Sequence, residues 1–366
     1  MALNIKSKAL AVIPKGSSIA GVFKGFQKEM GENVGSFGGY QPPVERVPTG
    51  LFPLDLALGG GLPRGKATTI FGPESSGKTN ILLGAIRMHQ LLWPDKLNVF
   101  ISIEGFDKPW AKKMGVDVDK VLVVQPSYGE EVVDMAEKFL TADDCGIVGI
   151  DSLAAMISTQ EAEKSATSGN PGKSAFVVGQ LVRKTTLALN ESEKAGRFPT
   201  LIYINQIRHK IGVMYGSPET TPGGFGPLFQ SAIRLRVYGK NIFEPKVSKT
   251  MPVIKETVFT LPKNKCPIVS VEGMFRMVTV PHLGWTIGEC DDWNTVSSYM
   301  KHLGMLIKGE KKGWTLGGTA YDTLAEIEAV IRADKKFGHA VRQEIIGRVL
   351  AAGDLIAPVG DDDAAE

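Results

Sequence analysis

The chain has 366 residues, of which 43% are hydrophobic and 22% are charged. This composition is typical of a globular protein, and the length predicts one large domain with a smaller one, or two to three modest domains. The formal net charge of +3 is too small to indicate a nucleic-acid-binding protein, so any basic binding surface must come from clustered residues. The three cysteines are far apart, which favours a reducing, cytoplasmic environment, and no apolar run approaches the ~20 residues that span a bilayer.

Residues 1–40 form the first predicted unit. Apolar side chains alternate with lysines over residues 1–30 in a partly helical pattern, and a glycine- and proline-rich stretch follows. A segment of this length has too little core to fold alone. We expect it to pack either on the body of the protein or on a neighbouring subunit, with a linker behind it.

Residues 41–280 form the predicted core, in which short apolar runs alternate with helical patterns. Buried strands are predicted at Ala67–Phe71, Asn98–Ile103, Val121–Gln125, Ile147–Asp151 and Thr200–Asn205. Helices are predicted at Lys78–Leu92, Val132–Leu140 and Val177–Leu189. Strands that alternate with helices indicate parallel β–α–β units, hence an α/β sheet with helices on both faces. Three later strands have no helices between them and suggest an antiparallel extension: Arg234–Val237, Thr257–Leu261 and Met274–Val280.

Residues 281–358 change in character and form a predicted small domain. Helical patterns cover His302–Ile307, Leu324–Ala333 and Ala340–Ala352. Residues 359–366 are an acidic tail, which we expect to be disordered.

A phosphate-binding motif lies between the first core strand and its helix. The G-x4-G-K-[ST] pattern is complete as Gly72-Pro73-Glu74-Ser75-Ser76-Gly77-Lys78-Thr79. The glycines let the backbone turn tightly and present its N–H groups to phosphates, next to a helix N-terminus. We expect Lys78 to reach the β- and γ-phosphates of ATP and Thr79 to coordinate Mg²⁺.

Three polar residues end strands at the same predicted edge of the sheet, where ligands of open parallel sheets bind. Asp151 follows a buried run and is placed to supply a second carboxylate for the metal. Glu104 is placed to orient an attacking water, although a solvated strand-end glutamate is the alternative. Gln206 ends the strand that includes Asn205 and is placed to hydrogen-bond the γ-phosphate.

The sequence closely resembles the bacterial RecA recombinases. The resemblance is carried by the run Asn205–Gly224, NQIRHKIGVMYGSPETTPGG, together with the phosphate motif GPESSGKT. It continues through Val47–Gly50, Leu54–Gly59, Met114–Asp117 and Lys263-Asn264-Lys265. It covers residues 45–270 well and the two ends more loosely.

The resemblance implies a RecA-type P-loop NTPase core with a mostly parallel twisted sheet, an N-terminal polymerisation segment and a small α+β C-terminal domain. It implies a DNA-dependent ATPase that uses ATP and Mg²⁺, forms a helical filament on single-stranded DNA and exchanges that strand into homologous duplex DNA. Residues 1–40 would then dock on the neighbouring subunit.

Individual roles also follow from the resemblance. Glu104 looks like the catalytic glutamate, and Gln206 like a γ-phosphate sensor at the root of a second DNA-binding loop, residues 207–224. The DNA-contacting residues of that loop would be Arg208, His209, Lys210, Gly212, Val213, Met214, Gly223 and Gly224. A first DNA-binding loop would lie around Ser158–Ser174, in which residues 161–173 are expected to be disordered by composition.

Two further pairs of residues match positions in the family. Lys263 and Lys265 match a lysine pair that reaches the γ-phosphate of the adjacent subunit's ATP, and the alternative is two solvated strand-end lysines. Asp107 and Trp110 match residues at the adenine, but the spacing is one residue shorter than in the family.

Other functions with the same core remain open. One is a motor, either a ring helicase or a repair ATPase, and another is an ATP-gated DNA-binding scaffold without productive hydrolysis. The run 205–224 and the lysine pair favour the recombinase over the motor. Glu104 argues against the scaffold.

Overall fold

The computed structural model describes residues 18–30, 44–163, 172–209, 219–222, 226–282, 284–309 and 313–352. The strands in these ranges are β1 Arg46–Val47, β2 Leu62–Pro63, β3 Ala67–Gly72, β4 Leu97–Ser102, β5 Val121–Val124, β6 Cys145–Asp151, β7 Thr200–Gln206, β8 Arg208–His209, β9 Glu219–Thr220, β10 Ile233–Ile242, β11 Ile254–Asn264, β12 Glu272–Val278, β13 Leu306–Lys308, β14 Trp314–Leu316 and β15 Thr319–Tyr321. The α-helices are α1 Ser18–Met30, α2 Phe52–Ala57, α3 Lys78–Leu92, α4 Lys108–Lys113, α5 Gly129–Leu140, α6 Thr159–Ala162, α7 Gly172–Lys194, α8 Gly226–Gln230, α9 Trp293–His302, α10 Leu324–Ala333 and α11 Lys335–Ala352.

An eight-stranded sheet forms the centre of the molecule, in the order β12-β11-β10-β3-β7-β6-β4-β5. The six strands from β10 to β5 pair in parallel, and β11 is antiparallel to both of its neighbours. The predicted α/β core with an antiparallel extension is therefore confirmed. The carboxyl ends of the parallel strands meet at one edge, which is the edge where the phosphate motif begins.

The sheet is buried on both faces because its strands are apolar at successive positions. In β7 the side chains of Leu201 and Tyr203 pack into one apolar cluster, while those of Ile202 and Ile204 pack into the other. This alternation is the two-residue period of a strand, and each cluster is completed by helices on its own face. The cluster with Leu201 and Tyr203 includes residues of α5 and α7, and the cluster with Ile202 and Ile204 includes residues of α3.

Most predicted elements agree with the structure to within a few residues, and α3 agrees at both ends. The predicted helical stretch His302–Ile307 is wrong. Helix α9 ends at His302, Gly304 adopts a left-handed φ of 66°, and β13 follows. Glycine accommodates that conformation without strain, so the chain turns out of the helix there. The predicted disorder around the first loop is also wrong at its two ends, because Thr159–Ala162 and the residues from Gly172 are helical.

The C-terminal helices and the sheet β13-β14-β15 share a separate apolar cluster, to which Phe52 and Leu56 of the core also contribute. The acidic tail 359–366 lies outside the described residues. Domain boundaries stay predictions.

Helix α1 carries a row of exposed apolar side chains: Ile19, Val22, Phe26 and Met30. None of the residues of this helix is buried in the single chain. Among the helices of the described ranges, none is long and apolar enough to cross a membrane.

Candidate functional site: a phosphate cleft at the sheet edge

The phosphate motif links β3 to α3, and its two outer glycines are required by close packing. A Cβ atom on Gly72 would lie 2.1 Å from the carbonyl oxygen of Val237, and Gly77 has a φ of 93°. A larger residue at Gly72 would clash with the backbone, and one at Gly77 would adopt a strained conformation, so both positions favour glycine. The Nζ of Lys78 donates to the carbonyl oxygens of Gly72, at 3.1 Å, and Pro73, at 2.5 Å, so this side chain folds back over the loop.

The ammonium group of Lys78 lies near three carboxylates. Burial lowers the pKa of its ammonium group, while Asp151, Glu104 and Glu74 act in the opposite direction. A buried ammonium group with three carboxylates nearby is suited to binding a polyanion that arrives with a metal ion.

The side chains expected at the metal meet directly. The hydroxyl of Thr79, in the first turn of α3, donates to Oδ2 of Asp151 over 2.7 Å. Asp151 is buried at the end of β6, and burial raises its pKa, against the hydrogen bond from Thr79. A hydroxyl and a carboxylate are hard oxygen ligands, which Mg²⁺ prefers, and Mg²⁺ needs only one or two protein ligands beside phosphates and waters. The residues present therefore fit this metal.

Glu104 lies two residues after β4 and is held by the ends of two other strands. Its Oε1 accepts hydrogen bonds from the hydroxyl of Ser152, which follows β6, and from Nε2 of Gln206, over 3.0 Å. The carboxylate is thus fixed in the cleft by donors that leave its second oxygen available for a water. The structure brings Glu104, Asp151 and Gln206 together as the sequence predicted.

The cleft has a volume of about 220 Å³. Its lining comprises Glu74, Ser75, Ser76, Gly77, Lys78, Thr79, Asn80, Glu104, Asp151, Ser152, Ile204, Gln206 and Lys255. Gly72 and Pro73 are not part of the lining and contribute through the carbonyls that hold Lys78.

Asp107 and Trp110 lie next to the cleft but do not line it. The side chain of Asp107 caps α4 by accepting from the backbone N–H of Trp110 over 2.9 Å. The indole N–H of Trp110 donates to Oδ1 of Asn80 over 2.9 Å, and its ring packs against the core. Local capping and core packing account for both side chains, so their contact with adenine stays a prediction.

Comparison with known proteins identifies the family. The family model of the RecA N-terminal domain matches residues 17–273, which is well over half of the chain. The chain belongs to the RecA family. A protein RecA from Kineococcus radiotolerans is 40% identical over 259 residues, which are 70% of this chain and 68% of the relative. The protein RecA of Mycolicibacterium gilvum is 43% identical over 58% of each chain, and that of Thermus aquaticus is 40% identical over 61% of this chain and 65% of its own. The chain therefore matches between 58% and 68% of the length of these three relatives.

The root of the second predicted loop is described in this RecA-family chain, but most of the loop is not. Arg208 and His209 form β8 and pair with Thr220 and Glu219 of β9. The side-chain amide of Asn205 donates to the carbonyl of Pro222 over 2.9 Å, which ties β7 to the segment that follows β9. Six predicted DNA contacts lie outside the described residues, namely Lys210, Gly212, Val213, Met214, Gly223 and Gly224.

The two lysines matched to the family's lysine pair lie away from this chain's own cleft. Lys263 pairs with Arg234, which pairs with Thr69, three residues before Gly72. Its Nζ donates to the carbonyl of Phe229 over 2.7 Å, and Lys265 follows the end of β11. Both lysines therefore lie toward the opposite edge of the sheet from the phosphate motif.

Lys255, Asn80, Ser152 and Ile204 line the cleft without having been predicted. Ser152 directly follows Asp151, so the strand-end rule that selected Asp151 also applied to it. Lys255 had no comparable signal, because the predicted strand began at Thr257 whereas β11 begins at Ile254.

Proposed function

We propose that this RecA-family protein is a DNA-dependent ATPase that forms an ATP-bound filament on single-stranded DNA and catalyses homologous pairing and strand exchange. The observation that carries the proposal is the hydrogen bond between Gln206 and Glu104. It joins the residue suited to orient water to the strand that leads into loop 207–224.

The proposed ATPase chemistry rests on the residues of the cleft. Lys78 and the N–H groups of the loop bind the phosphates, and Thr79 and Asp151 hold Mg²⁺. The metal supplies positive charge that neutralises the phosphates when it is bound. Glu104 orients a water in line with the γ-phosphate and accepts its proton.

Coupling to DNA is proposed to run through β7 and the strands that follow it. Gln206 pairs with Gly72 in the sheet, and Arg208 begins the hairpin β8–β9 two residues later. A γ-phosphate in the cleft offers Gln206 a charged acceptor in place of Glu104. Such an exchange moves the root of loop 207–224 and at the same time releases the carboxylate for catalysis.

Self-assembly is supported at two places on the chain. The exposed apolar row of α1 suits docking on a neighbouring subunit. Lys263 lies toward the sheet edge opposite its own phosphate motif, which supports a role for Lys263 and Lys265 at a neighbour's ATP. Each ATP would then be held between two subunits, in a head-to-tail arrangement that continues as a helix.

Negative-stain microscopy tests the proposal. Wild-type protein with single-stranded DNA and a slowly hydrolysed ATP analogue should form helical filaments that lengthen with the DNA. Lys78→Ala, prepared in the same way, should form few or none because it lacks the phosphate contact. Rings or isolated monomers in the wild-type sample would contradict the proposal.

A further inference from the structure

Lys255 lies over the phosphate loop, although it comes from a distant part of the chain. It pairs with Asn241, five residues beyond Arg236, and Arg236 pairs with Phe71 near the end of β3. This register places Lys255 past the end of β3, where the loop 72–79 begins. Its Nζ donates to the carbonyl oxygen of Ser75, and its Cδ would be 3.4 Å from a Cβ on Gly77.

Within the described part of the chain, the ammonium group of Lys255 has no carboxylate partner that would account for its position. None of the salt bridges among the described residues includes Lys255, and its side chain is half-buried against the loop. Burial lowers its pKa. The carbonyl of Ser75 uses one of the three donors of an ammonium group. The remaining two donors suit an anion, because a half-buried cation that lacks an anionic partner destabilises the folded chain.

Two lysines from different elements therefore line the same cleft. Lys78, at the start of α3, and Lys255, in β11, both line this cleft of about 220 Å³. Like charges at this separation repel each other in the absence of ligand. A phosphate chain between them relieves the repulsion and gains two charge-assisted contacts.

We propose that Lys255 is a second phosphate-binding lysine, which contacts the nucleotide bound by its own subunit. The proposal rests on the ATP-binding part of the proposed function and adds a residue that the phosphate motif does not contain. It differs from the role proposed for Lys263 and Lys265, which concerns the ATP of a neighbour.

This assignment gives β11 two cationic ends. Lys255 lies at the chain's own cleft, and Lys263 is eight residues further along the same strand. At the rise of an extended strand, eight residues span about 26 Å. A single rigid strand would thus join the phosphates of one nucleotide to those of the next in a filament.

The competing explanation is that Lys255 only positions the loop through its bond to Ser75. Substitutions separate the two roles. Lys255→Gln keeps a hydrogen-bond donor and removes the charge, while Lys255→Arg keeps both. A phosphate contact requires the charge, whereas the bond to a carbonyl does not.

The test is the equilibrium affinity of the full chain for a fluorescent ATP analogue with Mg²⁺ and without DNA. Lys255→Gln should bind about tenfold more weakly than wild type, and Lys255→Arg should bind within about threefold of it. Lys240→Gln is the matched control, because Lys240 is exposed on β10 at the same end of the sheet and does not line the cleft. It should leave the affinity unchanged, and thermal unfolding of every variant should match wild type.

Several outcomes would overturn the proposal. An unchanged affinity in Lys255→Gln would mean that the charge does not contact phosphate. A large loss of affinity in Lys255→Arg would mean that the shape of the side chain, rather than its charge, is required. An equal loss in Lys240→Gln means a general charge effect. The measurement contains no DNA and needs no filament. It therefore tests the phosphate contact of Lys255 even if the protein does not exchange strands, and failure of this contact can be told apart from failure of the proposed function.

Discussion

At the residue scale, the candidate site depends on how Glu104 is held. The hydroxyl of Ser152 and the amide of Gln206 both donate to the same carboxylate oxygen, Oε1, of a side chain that lines the cleft. A rule about strand ends was enough to predict Glu104, Asp151 and Gln206, since parallel strands bring their carboxyl ends to one edge. The same rule cannot show which of these side chains bond to each other.

Substitution of Glu104 should separate binding from turnover. Glu104→Gln retains a carbonyl oxygen that accepts from Ser152 but cannot take a proton from water. We expect ATP affinity and filament formation close to wild type and a turnover lower by about 10² to 10⁴. Steady-state phosphate release measures the turnover, with Glu191→Gln on the exposed face of α7 as the control. Normal turnover in Glu104→Gln would place the base elsewhere.

His89 should make the stability of the chain depend on pH. It is fully buried in α3, neither ring nitrogen has a hydrogen-bond partner in the described structure, and its ring stacks on Trp93. Burial, with smaller effects from Arg64 and Lys96, lowers the pKa of His89 to about 4. The folded state disfavours the protonated ring. The free energy of unfolding is therefore highest above the unfolded pKa of about 6.5 and decreases as the pH falls toward 4.

The size of this effect can be checked by denaturant unfolding. Between about pH 7 and pH 5, His89 should lower the free energy of unfolding by about 2 kcal/mol, in addition to what other groups contribute. The variant His89→Leu does not titrate and should show a decrease smaller by that amount. Equal decreases in the two proteins would mean that His89 is protonated in the folded state.

At the element scale, local and long-range features were predictable to different degrees. Helix α3 was predicted at both ends because the phosphate motif fixes its start and an apolar period fixes its course. Lys255 was missed because its place depends on the pairing of β11 with β10 and of β10 with β3, and no local pattern encodes that register. The prediction of a helix over His302–Ile307 failed for a local reason, because the chain turns at the left-handed Gly304.

Helix α1 provides the test of self-assembly at this scale. Val22 is 60% exposed in the apolar row, and Lys24 is exposed on another side of the same helix. Val22→Asp places a charge in the proposed contact and should shift sedimentation toward monomers while ATP binding is retained. Lys24→Asp adds the same side chain outside the apolar row and should assemble as wild type does. Equal assembly of the two variants would exclude this face from the contact.

At the scale of the whole molecule, we expect each active site to be shared between two subunits. Lys263 lies toward the edge of the sheet opposite its own phosphate motif, so it would act on a neighbour. Lys263→Ala and Glu104→Gln should each be inactive when alone. In a random one-to-one mixture, about one quarter of the sites would have an intact Glu104 next to an intact neighbouring Lys263.

Mixing the two inactive variants on single-stranded DNA should therefore restore about one quarter of the wild-type rate. Lys78→Ala mixed with Glu104→Gln is the control, because both substitutions affect the same subunit's half of the site, and this mixture should stay inactive. A mixture of Lys263→Ala and Glu104→Gln that also stays inactive would exclude a shared site.

We propose that ATP hydrolysis in the cleft responds to DNA through Gln206 and the loop that follows it. The most direct test is the rate of ATP hydrolysis by the wild-type protein at saturating ATP and Mg²⁺, with and without single-stranded DNA. We expect a low rate without DNA and a severalfold higher rate with it, with both rates lost in Lys78→Ala. A rate that is the same with and without DNA would mean that hydrolysis in the cleft is not coupled to DNA.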